Sequence, residues 1–258
     1  MLNLLLKAKK YQFLFYELVH RDFTKKYKRT MLGIAWSMLS PLLSLAVMRL
    51  IFTQLLGSDI EHYTVYLFSG QLVFSFFNDS TNEGMTSLLD NADIFTKVNV
   101  PKYMFLFSKN VSSLINFGIT LIIYFIFIIA DGIEITWKFA FLLYPIICLV
   151  IFNLGVGLIL SAAFVFFRDI KYLYNIFTLL LMYMSAIFYS IEQFPQFGQN
   201  LFLLNPIYLY IRYFRKIVIE ATIPTLQFHL LAAAYAVTVF IVGCWIYKKK
   251  NHSFLYYV

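Results

Sequence analysis

The sequence has little charge, few cysteines and none of the short motifs that identify common enzymes. Only 13% of its 258 residues are charged, whereas a soluble domain normally carries about 25%. The hydrophobic fraction is 61% and the mean hydropathy is +0.74. This composition predicts one membrane-embedded unit over residues 1–258, with too little polar sequence for a separate soluble enzyme domain.

Several kinds of reactive site are also missing. Cys148 and Cys244 both lie in apolar runs, which excludes a disulfide framework or a metal site based on cysteine spacing. No Gly-Lys pair occurs, so the chain cannot hydrolyse ATP through a GxxxxGK[ST] loop. The histidines have no HExxH spacing, and no Ser/His/Asp or paired-carboxylate grouping is evident. We therefore predict no catalytic, cofactor-binding or metal-binding residue in this chain.

Long apolar segments take the place of such motifs and predict an all-α integral membrane fold. A helix needs roughly 20 apolar residues to cross a bilayer. Segments near or above that length occupy residues 33–56, 63–83, 104–130, 138–165, 172–191 and 226–247. Six spans put both termini on the same side of the membrane. The second segment is the weakest of the set, because Asn78, Asp79, Asn82 and Glu83 lie at its end.

An amphipathic helix over residues 11–29 is expected before the first span. Its apolar positions recur every four residues, and its opposite face is charged. The apolar positions are Tyr11, Phe15, Val19, Phe23 and Tyr27, and the charged ones are Glu17, Arg21, Lys25 and Lys28. The closing KKYKR run favours a position on a leaflet with anionic headgroups. The alternative is an ordinary solvated helix.

The distribution of basic residues predicts the orientation. If the N-terminus is cytoplasmic, 16 of the 21 Lys and Arg residues lie on the cytoplasmic side, as the positive-inside rule requires. The net charge of +8 is then a consequence of topology and does not indicate nucleic acid binding. Arg49 is the one charge well inside a span, near its outer end. Its guanidinium either extends outward to the interface or faces inward to meet an anionic substrate group.

Residues 192–224 are too apolar for a solvated loop and too interrupted to span. We predict two short helices that form a re-entrant hairpin on the outer side, with Asn205 capping the helix that Pro206 begins. A simple amphipathic surface helix is the alternative.

Four strings, in order along the whole chain, resemble the transmembrane subunits of type-2 ABC exporters that move polysaccharides such as O-antigen or teichoic acid. RDFTKKYKRTMLGIAWSMLSPLL resembles the beginning of their first span. NADIFTKVNVPKYMFLFS and FFRDIKYLYN resemble their two cytoplasmic loops, and LLNPIYLYIRYFR resembles the outer segment before their last span. Together with the predicted topology, these strings identify the chain as a member of that family.

The resemblance implies a homodimer in the bacterial plasma (inner) membrane with cytoplasmic termini. Two separate ABC ATPase subunits would bind ATP and Mg, so the permease itself would be no enzyme. The first cytoplasmic loop, about residues 88–100, would form a coupling helix that contacts the ATPase. Asp90 or Asn91 could cap that helix, and Pro101 would follow its end. The expected coupling residues are Asp90, Asn91, Asp93, Ile94, Phe95, Lys97 and Val98.

Three further sets of residues are expected to act in transport, the first two by the resemblance and the third from its aromatic and charged side chains, among which Arg49 departs from the apolar residue usual in the family. A gate that meets the headgroup of a lipid-linked glycan would include Lys25, Lys26, Lys28 and Arg29, although these charges could equally hold the helix on anionic lipid. The second cytoplasmic loop, with Arg168 and Asp169, would be another contact or a dimer brace, or only a solvated cap. The substrate channel, formed mainly by spans one and five, would include Trp36, Arg49, Phe76, Tyr183, Phe188 and Tyr189.

Two other functions remain open at this point. One is a type-2 ABC exporter of a drug or a lipid. The other is a membrane-embedded glycosyl- or acyltransferase, which would need an acidic or histidine constellation at a membrane face, and no such constellation is evident.

Overall fold

A computed structural model gives the architecture of the chain. It describes residues 2–27, 30–56, 60–192, 194–251 and 253–257. The regular structure in these ranges is helical throughout, which confirms the all-α prediction. The α-helices are α1 (Leu2–Tyr27), α2 (Trp36–Leu56), α3 (Tyr63–Thr86), α4 (Ala92–Phe95), α5 (Tyr103–Ala130), α6 (Leu143–Phe166), α7 (Ile170–Met184), α8 (Gln196–Phe202), α9 (Pro206–Val218) and α10 (Leu226–Lys250).

Helix α3 is the centre of the bundle. Val65, Leu67, Phe68 and Val73 on this helix are completely buried. Helices α5, α6 and α9 pack around it, and α10 packs on the far side of α6. The C-terminal half of α3 lies beside α1, and its N-terminal half lies beside α9. We call these two ends of the bundle the α1 end and the α9 end.

Helices α6 and α10 cross at two glycines. A Cβ on Gly155 would come within 2.6 Å of the backbone nitrogen of Phe240, and a Cβ on Gly243 would come within 2.5 Å of the carbonyl oxygen of Gly155. These distances are too short for any side chain, so the two backbones are in direct contact. Small residues at the crossing allow this approach, as is common between helices in membranes.

Within the described residues, four helical segments are long and apolar enough to cross a membrane: Gly33–Phe52, Tyr103–Ala130, Trp137–Phe166 and Leu226–Lys250. The first and third include short 3₁₀ turns that precede α2 and α6. Helix α3 has 24 residues, and the polar residues noted above lie at its C-terminal end. The apolar helix α7 has only 15 residues, or about 22 Å at 1.5 Å per residue.

Helix α7 is shorter than the predicted segment 172–191. It ends at Met184, and Ala186 adopts a positive φ of 47°. This left-handed conformation is costly for a residue with a Cβ. Contacts from α3 and α9, described below, hold the chain in this conformation.

The segment after α7 contains α8 and α9. Asn205 caps α9 as predicted, because its side-chain oxygen accepts hydrogen bonds from the backbone nitrogens of Ile207 and Tyr208 at 3.0 and 3.4 Å. Pro206 occupies the first helical position, where its missing N–H has no consequence. At the other end of the chain, α1 begins at Leu2, earlier than the predicted residue 11. Leu, Lys and Ala in that stretch are good helix formers.

Candidate functional site

A polar cleft opens between α2, α3 and α5 and extends towards the α1 end. Its volume is about 510 Å³. Each helix contributes polar residues at helical spacing, three or four positions apart, so that each polar stripe lies on one face. The stripes are Ser37, Ser40 and Ser44 on α2, Gln71, Ser75 and Asp79 on α3, and Ser113, Asn116 and Thr120 on α5. Trp36, Phe76 and Phe117 add aromatic surface.

At the mouth of this cleft, Lys26 of α1 is ion-paired with α3. Its Nζ atom donates to Asp79 at 2.9 Å and to Glu83 at 3.4 Å. Lys25 is exposed. Lys28 and Arg29, the other two predicted gate residues, lie outside the described residues. Lys26 therefore holds α1 against α3, whereas the side chain of Lys25 is exposed to solvent.

A second polar cluster fixes α1 to the beginning of α5. The buried carboxylate of Asp22 accepts hydrogen bonds from Arg21 at 2.7 Å and from Ser108 at 3.2 Å. Lys109 lies 3.6 Å from Asp22 and 3.8 Å from Asp90. Arg21 also donates to the side chain of Asn91 at 2.7 Å. We call these side chains, Arg21, Asp22, Asp90, Asn91, Ser108 and Lys109, the α1 anchor.

The predicted coupling segment is not one continuous helix. A 3₁₀ turn over Leu89–Asn91 is followed by α4, which has four residues, and then by turns up to Pro101. The β-branched Val98 and Val100 and the proline disfavour further helix. The predicted capping role of Asn91 is wrong, because its amide donates to the carbonyl oxygen of Ser87 at 2.7 Å instead of capping α4. Asp90 does not cap a helix either; its carboxylate accepts from Thr86 at 2.9 Å.

The coupling residues divide into a buried and an exposed group. Asn91 and Phe95 are buried, and Ile94 is half-buried. The exposed group consists of Asp90, Asp93, Lys97 and Val98. Phe95 lies 6.1 Å from Phe105 of α5, measured between ring centroids. The segment thus has two faces. Its inner face is buried against the bundle, and its outer face, which points away from the bundle, is exposed.

The C-terminus packs against the same segment. Phe254 is completely buried, and the Nζ atom of Lys102 lies 5.6 Å from the ring centroids of both Phe95 and Phe254. Lys102 also donates to the carbonyl oxygen of Asn251 at 2.6 Å. Burial lowers the pKa of Lys102. The end of α10 and the coupling segment therefore form one packed unit around Lys102.

Arg168 and Asp169, predicted in the second loop, are both exposed just before α7. Asp169 occupies the N-cap position of α7, but its side chain makes no capping hydrogen bond. The structure thus leaves both charged side chains at the surface.

The predicted channel residues lie in three different places in the structure. Trp36 and Phe76 line the polar cleft. Tyr183, Phe188 and Tyr189 cluster at the end of α7, where the Tyr189 hydroxyl donates to the carbonyl oxygen of Tyr183 at 2.9 Å. Phe188 also stacks on Phe52 of α2 at 4.3 Å between ring centroids. Arg49 is exposed and lines a different, mostly apolar cavity with Thr64 and Phe127.

Arg215 of α9 is the largest fully buried side chain in the described part of the chain. It donates to the carbonyl oxygens of Tyr66, Ala186 and Ile187 at 3.2, 2.9 and 3.1 Å and to the hydroxyl of Ser69 at 3.2 Å. Its guanidinium also lies 3.4 Å from the centroid of the Tyr66 ring. These contacts fix the break after α7 to α3 and α9. We call Arg215 with these partners the Arg215 lock.

Sequence reasoning missed the polar cleft, the α1 anchor and the Arg215 lock. A signal existed for each of them. Asp22 lies four residues after Leu18, on the apolar side of α1. Arg215 follows Ile211 by the same interval on α9. The three polar stripes of the cleft also recur at intervals of three or four residues. Within the described residues, no group of three or more His, Cys, Asp or Glu side chains could hold a metal ion.

Comparison with protein families gives a match that covers most of the chain. The family model described as "ABC-2 type transporter" matches residues 13–219. This range includes the cleft, the α1 anchor, the coupling segment and the Arg215 lock.

Individual relatives match nearly end to end. The O-antigen export system permease protein RfbA of Myxococcus xanthus is 26% identical over 258 residues, which is 98% of both chains. The protein of the same name from Klebsiella pneumoniae is 26% identical over 92% of both chains. The capsule polysaccharide export inner-membrane protein CtrC of Neisseria meningitidis serogroup A is 20% identical over 73% of this chain and 72% of its own. The chain belongs to the ABC-2 type transporter family.

Proposed function

We propose that this chain is the permease subunit of an ATP-driven exporter that moves a lipid-linked polysaccharide, such as O-antigen, teichoic acid or a related cell-surface glycan, out across the bacterial plasma membrane. The observation that carries the proposal is the end-to-end match to O-antigen export permeases, which covers 98% of both chains in one case. A match of that extent includes every span and loop, so the whole architecture supports the same function.

The proposed arrangement is a homodimer of six-span subunits with cytoplasmic termini. The four long apolar helical segments count as spans, and α3 and α7 with the segment after it supply the other two. The α1 end is then cytoplasmic, in agreement with the positive-inside rule. Residues 192–224, fixed by the Arg215 lock, form the re-entrant outer segment, where protein covers the broken backbone.

The channel lies between the two subunits along α2 and α7. Both helices present large apolar side chains to the outside of the single chain, among them Val47 and Leu50 on α2 and Leu173 and Phe177 on α7. Such surfaces are suited to lipid or to a second copy of the chain. Tyr183, at the end of α7, supplies an aromatic face that can lie against the C–H surface of a sugar ring.

Two ABC ATPase subunits, which bind ATP and Mg, supply the work. They contact the outer face of the coupling segment through Asp93, Lys97 and Val98. The inner face, with Phe95, transmits the force to α5 and to the C-terminus. Because ATP binding draws the two ATPases together, the coupling segments and the attached helices move with them.

The gate is the end of α1. Separation of Lys26 from Asp79 would release α1 from α3 and expose the cleft at the membrane surface. Lys25, which is already exposed, would attract the pyrophosphate end of a carrier-linked glycan or the anionic headgroups of membrane lipids. Lys28 and Arg29 belong to the same proposed gate.

Loss and restoration of export in cells tests this function. Deletion of the gene in the producing strain should cause carrier-linked glycan to accumulate on the cytoplasmic side, and the wild-type chain should restore the surface polymer. Charge reversal at the outer face of the coupling segment, Asp93→Lys with Lys97→Glu, should not restore it although the protein reaches the membrane. A matched control is charge reversal at the exposed Glu61 near the α9 end, Glu61→Lys, which should restore export. Normal surface glycan in the deletion strain would contradict the proposal.

Two alternatives make different predictions. A type-2 ABC exporter of a drug or lipid would leave surface glycan unchanged on deletion and would be encoded beside a resistance regulator rather than beside glycosyltransferases. A membrane-embedded glycosyl- or acyltransferase would modify glycan without any ATPase partner. Within the described residues, no group of three or more His, Cys, Asp or Glu side chains could hold a metal ion for such an enzyme.

A further inference from the structure

The polar cleft between α2, α3 and α5 opens to the surface, where Ser40 and Ser75 are exposed, and extends into an otherwise apolar bundle. Polar stripes on three helices face one gap, and Gln71, near its inner end, is 8% exposed. The side-chain oxygen of Gln71 has no hydrogen-bond partner among the described residues. A buried polar atom without a partner is costly unless water or a ligand satisfies it. The cleft is therefore suited to a hydrogen-bonding occupant.

The size of the cleft fits a small polar ligand. Its volume of about 510 Å³ lies within the range of about 300–1,000 Å³ that is typical of small-molecule sites. Gln71 and Asp79 mark its two ends on α3, eight residues apart, which corresponds to about 12 Å along a helix. A short piece of an oligosaccharide can lie along this length.

The charges argue against an anionic or cationic occupant. Among the described residues, Lys26 is the cation that lines the cleft, and it is already ion-paired with Asp79 and Glu83. The carboxylate of Asp79 on the same rim repels a phosphate or another acid. A metal ion is disfavoured as well, because the described residues contain no cluster of three acidic, histidine or cysteine side chains. The occupant that fits these charges is neutral.

The chemistry of the lining favours a sugar over an acyl chain. The side-chain nitrogen of Gln71 donates to the carbonyl oxygen of Pro41 at 3.4 Å, but a hydrocarbon tail would leave its side-chain oxygen without a partner. Sugar hydroxyls both donate and accept, as do the hydroxyls of Ser40, Ser44 and Ser75. Trp36 and Phe76 provide aromatic surface for the C–H patches of a pyranose ring. From this combination, and on the basis of the function proposed above, we propose that the cleft, which is formed within one subunit by α2, α3 and α5, is a binding subsite for neutral sugar residues of the exported glycan.

Protection of an engineered cysteine tests this subsite directly. In the complete complex with its ATPase subunits, Cys148→Ala and Cys244→Ala remove the native thiols, and Ser75→Cys places one in the cleft. The probe is lipid-free glycan released by mild acid from the carrier pool of the producing strain. We expect a membrane-impermeant methanethiosulfonate reagent to label the cysteine, and we expect saturating glycan to abolish that labelling. Thr24→Cys, on the exposed side of α1, is the matched control, and its labelling should not change.

A second variant measures affinity without a thiol. Gln71→Leu removes the buried amide at nearly constant size and should raise the half-saturating glycan concentration for transport about five- to tenfold. Gln227→Leu, an exposed glutamine on α10, should leave it unchanged. A change in the half-saturating concentration at unchanged maximal rate distinguishes a lost sugar contact from general damage to the bundle.

The outcomes separate this proposal from the proposed function. If the wild-type complex exports glycan but Ser75→Cys is labelled equally with and without glycan, the cleft is only a water-filled gap and the subsite proposal is wrong. The proposal is also wrong if Ser75→Cys is never labelled, because the cleft is then closed in the complex. Failure of the wild-type complex to export any glycan would instead contradict the proposed function.

Discussion

The two ends of the bundle are held together by basic side chains in opposite ways. At the α9 end, Arg215 is 2% exposed and donates only to neutral oxygens, three of them backbone carbonyls. At the α1 end, Lys26 pairs with two carboxylates, and its side chain is 34% exposed. Water can replace the contacts of Lys26 but has no access to those of Arg215. The contacts of Arg215 therefore hold the α9 end rigidly, whereas the ion pairs of Lys26 at the α1 end can separate at low cost in free energy.

Removal of the Arg215 lock should have the largest effect. Arg215→Ala removes four buried hydrogen bonds and leaves a cavity in place of a large side chain, which together should cost about 3–5 kcal/mol of stability. We expect a large fall in the thermal unfolding midpoint of the purified protein in detergent. Arg212→Ala is the matched control on the same helix, because the half-buried Arg212 pairs only with Glu220 near the surface. Equal unfolding midpoints for the two variants would contradict the comparison.

The contact between α6 and α10 lies between the two ends and should be nearly as sensitive. Gly155→Val forces side-chain atoms into the backbone of Phe240, where even a Cβ would come within 2.6 Å. Overpacking of this kind costs about 1–3 kcal/mol, and backbone atoms have little freedom to move away. Gly157→Ala is the mild control, because the nearest atoms to its Cβ would be side-chain atoms of Leu106, the closest at 3.3 Å. The thermal unfolding midpoint should fall much more for Gly155→Val than for Gly157→Ala. An equal or larger fall for Gly157→Ala would contradict this expectation.

The α1 anchor should be intermediate between the two ends. Asp22→Asn removes the charge shared by Arg21 and Lys109 in a site where the Asp22 side chain is 2% exposed, and it should cost about 1–3 kcal/mol. The effect should be local, so hydrogen exchange should accelerate in α1 and remain slow in α9. The exposed Glu17 on the same helix provides the control Glu17→Gln. Uniform acceleration through the whole bundle would argue against a separate anchor.

The smallest effect on stability is expected at Lys26. Lys26→Gln removes a half-exposed ion pair that is worth less than about 1 kcal/mol. The unfolding midpoint should hardly change, while proteolytic cleavage near the end of α1 should become faster. Lys25→Gln, at the exposed neighbouring position, should change neither quantity. A loss of stability comparable to that of Arg215→Ala would remove the distinction between the two ends.

The sequence predicted the parts of this fold that depend on local patterns. The all-α class, the helix cap at Asn205 and the two short helices before α10 follow from composition, capping preference and proline position. The end of α7 at Met184 could not be predicted from its own apolar sequence, because it is held by Tyr66 and Arg215 from distant parts of the chain.

The candidate site was predicted only in part, for a related reason. The coupling segment was located by its resemblance to a family, but its division into buried Phe95 and exposed Lys97 depends on packing against α5 and the C-terminus. Arg215 lies in residues 192–224, for which the sequence predicted an outer re-entrant segment but gave no role to this side chain, and it is buried in the bundle. A basic residue on the apolar stripe of a helix indicates a buried contact. Counting Lys and Arg on each side of the membrane does not detect it.

The central claim is that this chain moves glycan only when an ATPase acts on it. Its most direct test is reconstitution of the chain with its ATPase subunits in proteoliposomes that contain fluorescently labelled carrier-linked glycan. We predict that ATP moves the labelled glycan across the bilayer, and that no movement occurs without ATP, without the ATPase subunits, or with the Asp93→Lys, Lys97→Glu variant. Movement by the purified chain alone, or no ATP-dependent movement by the complete complex, would contradict the account.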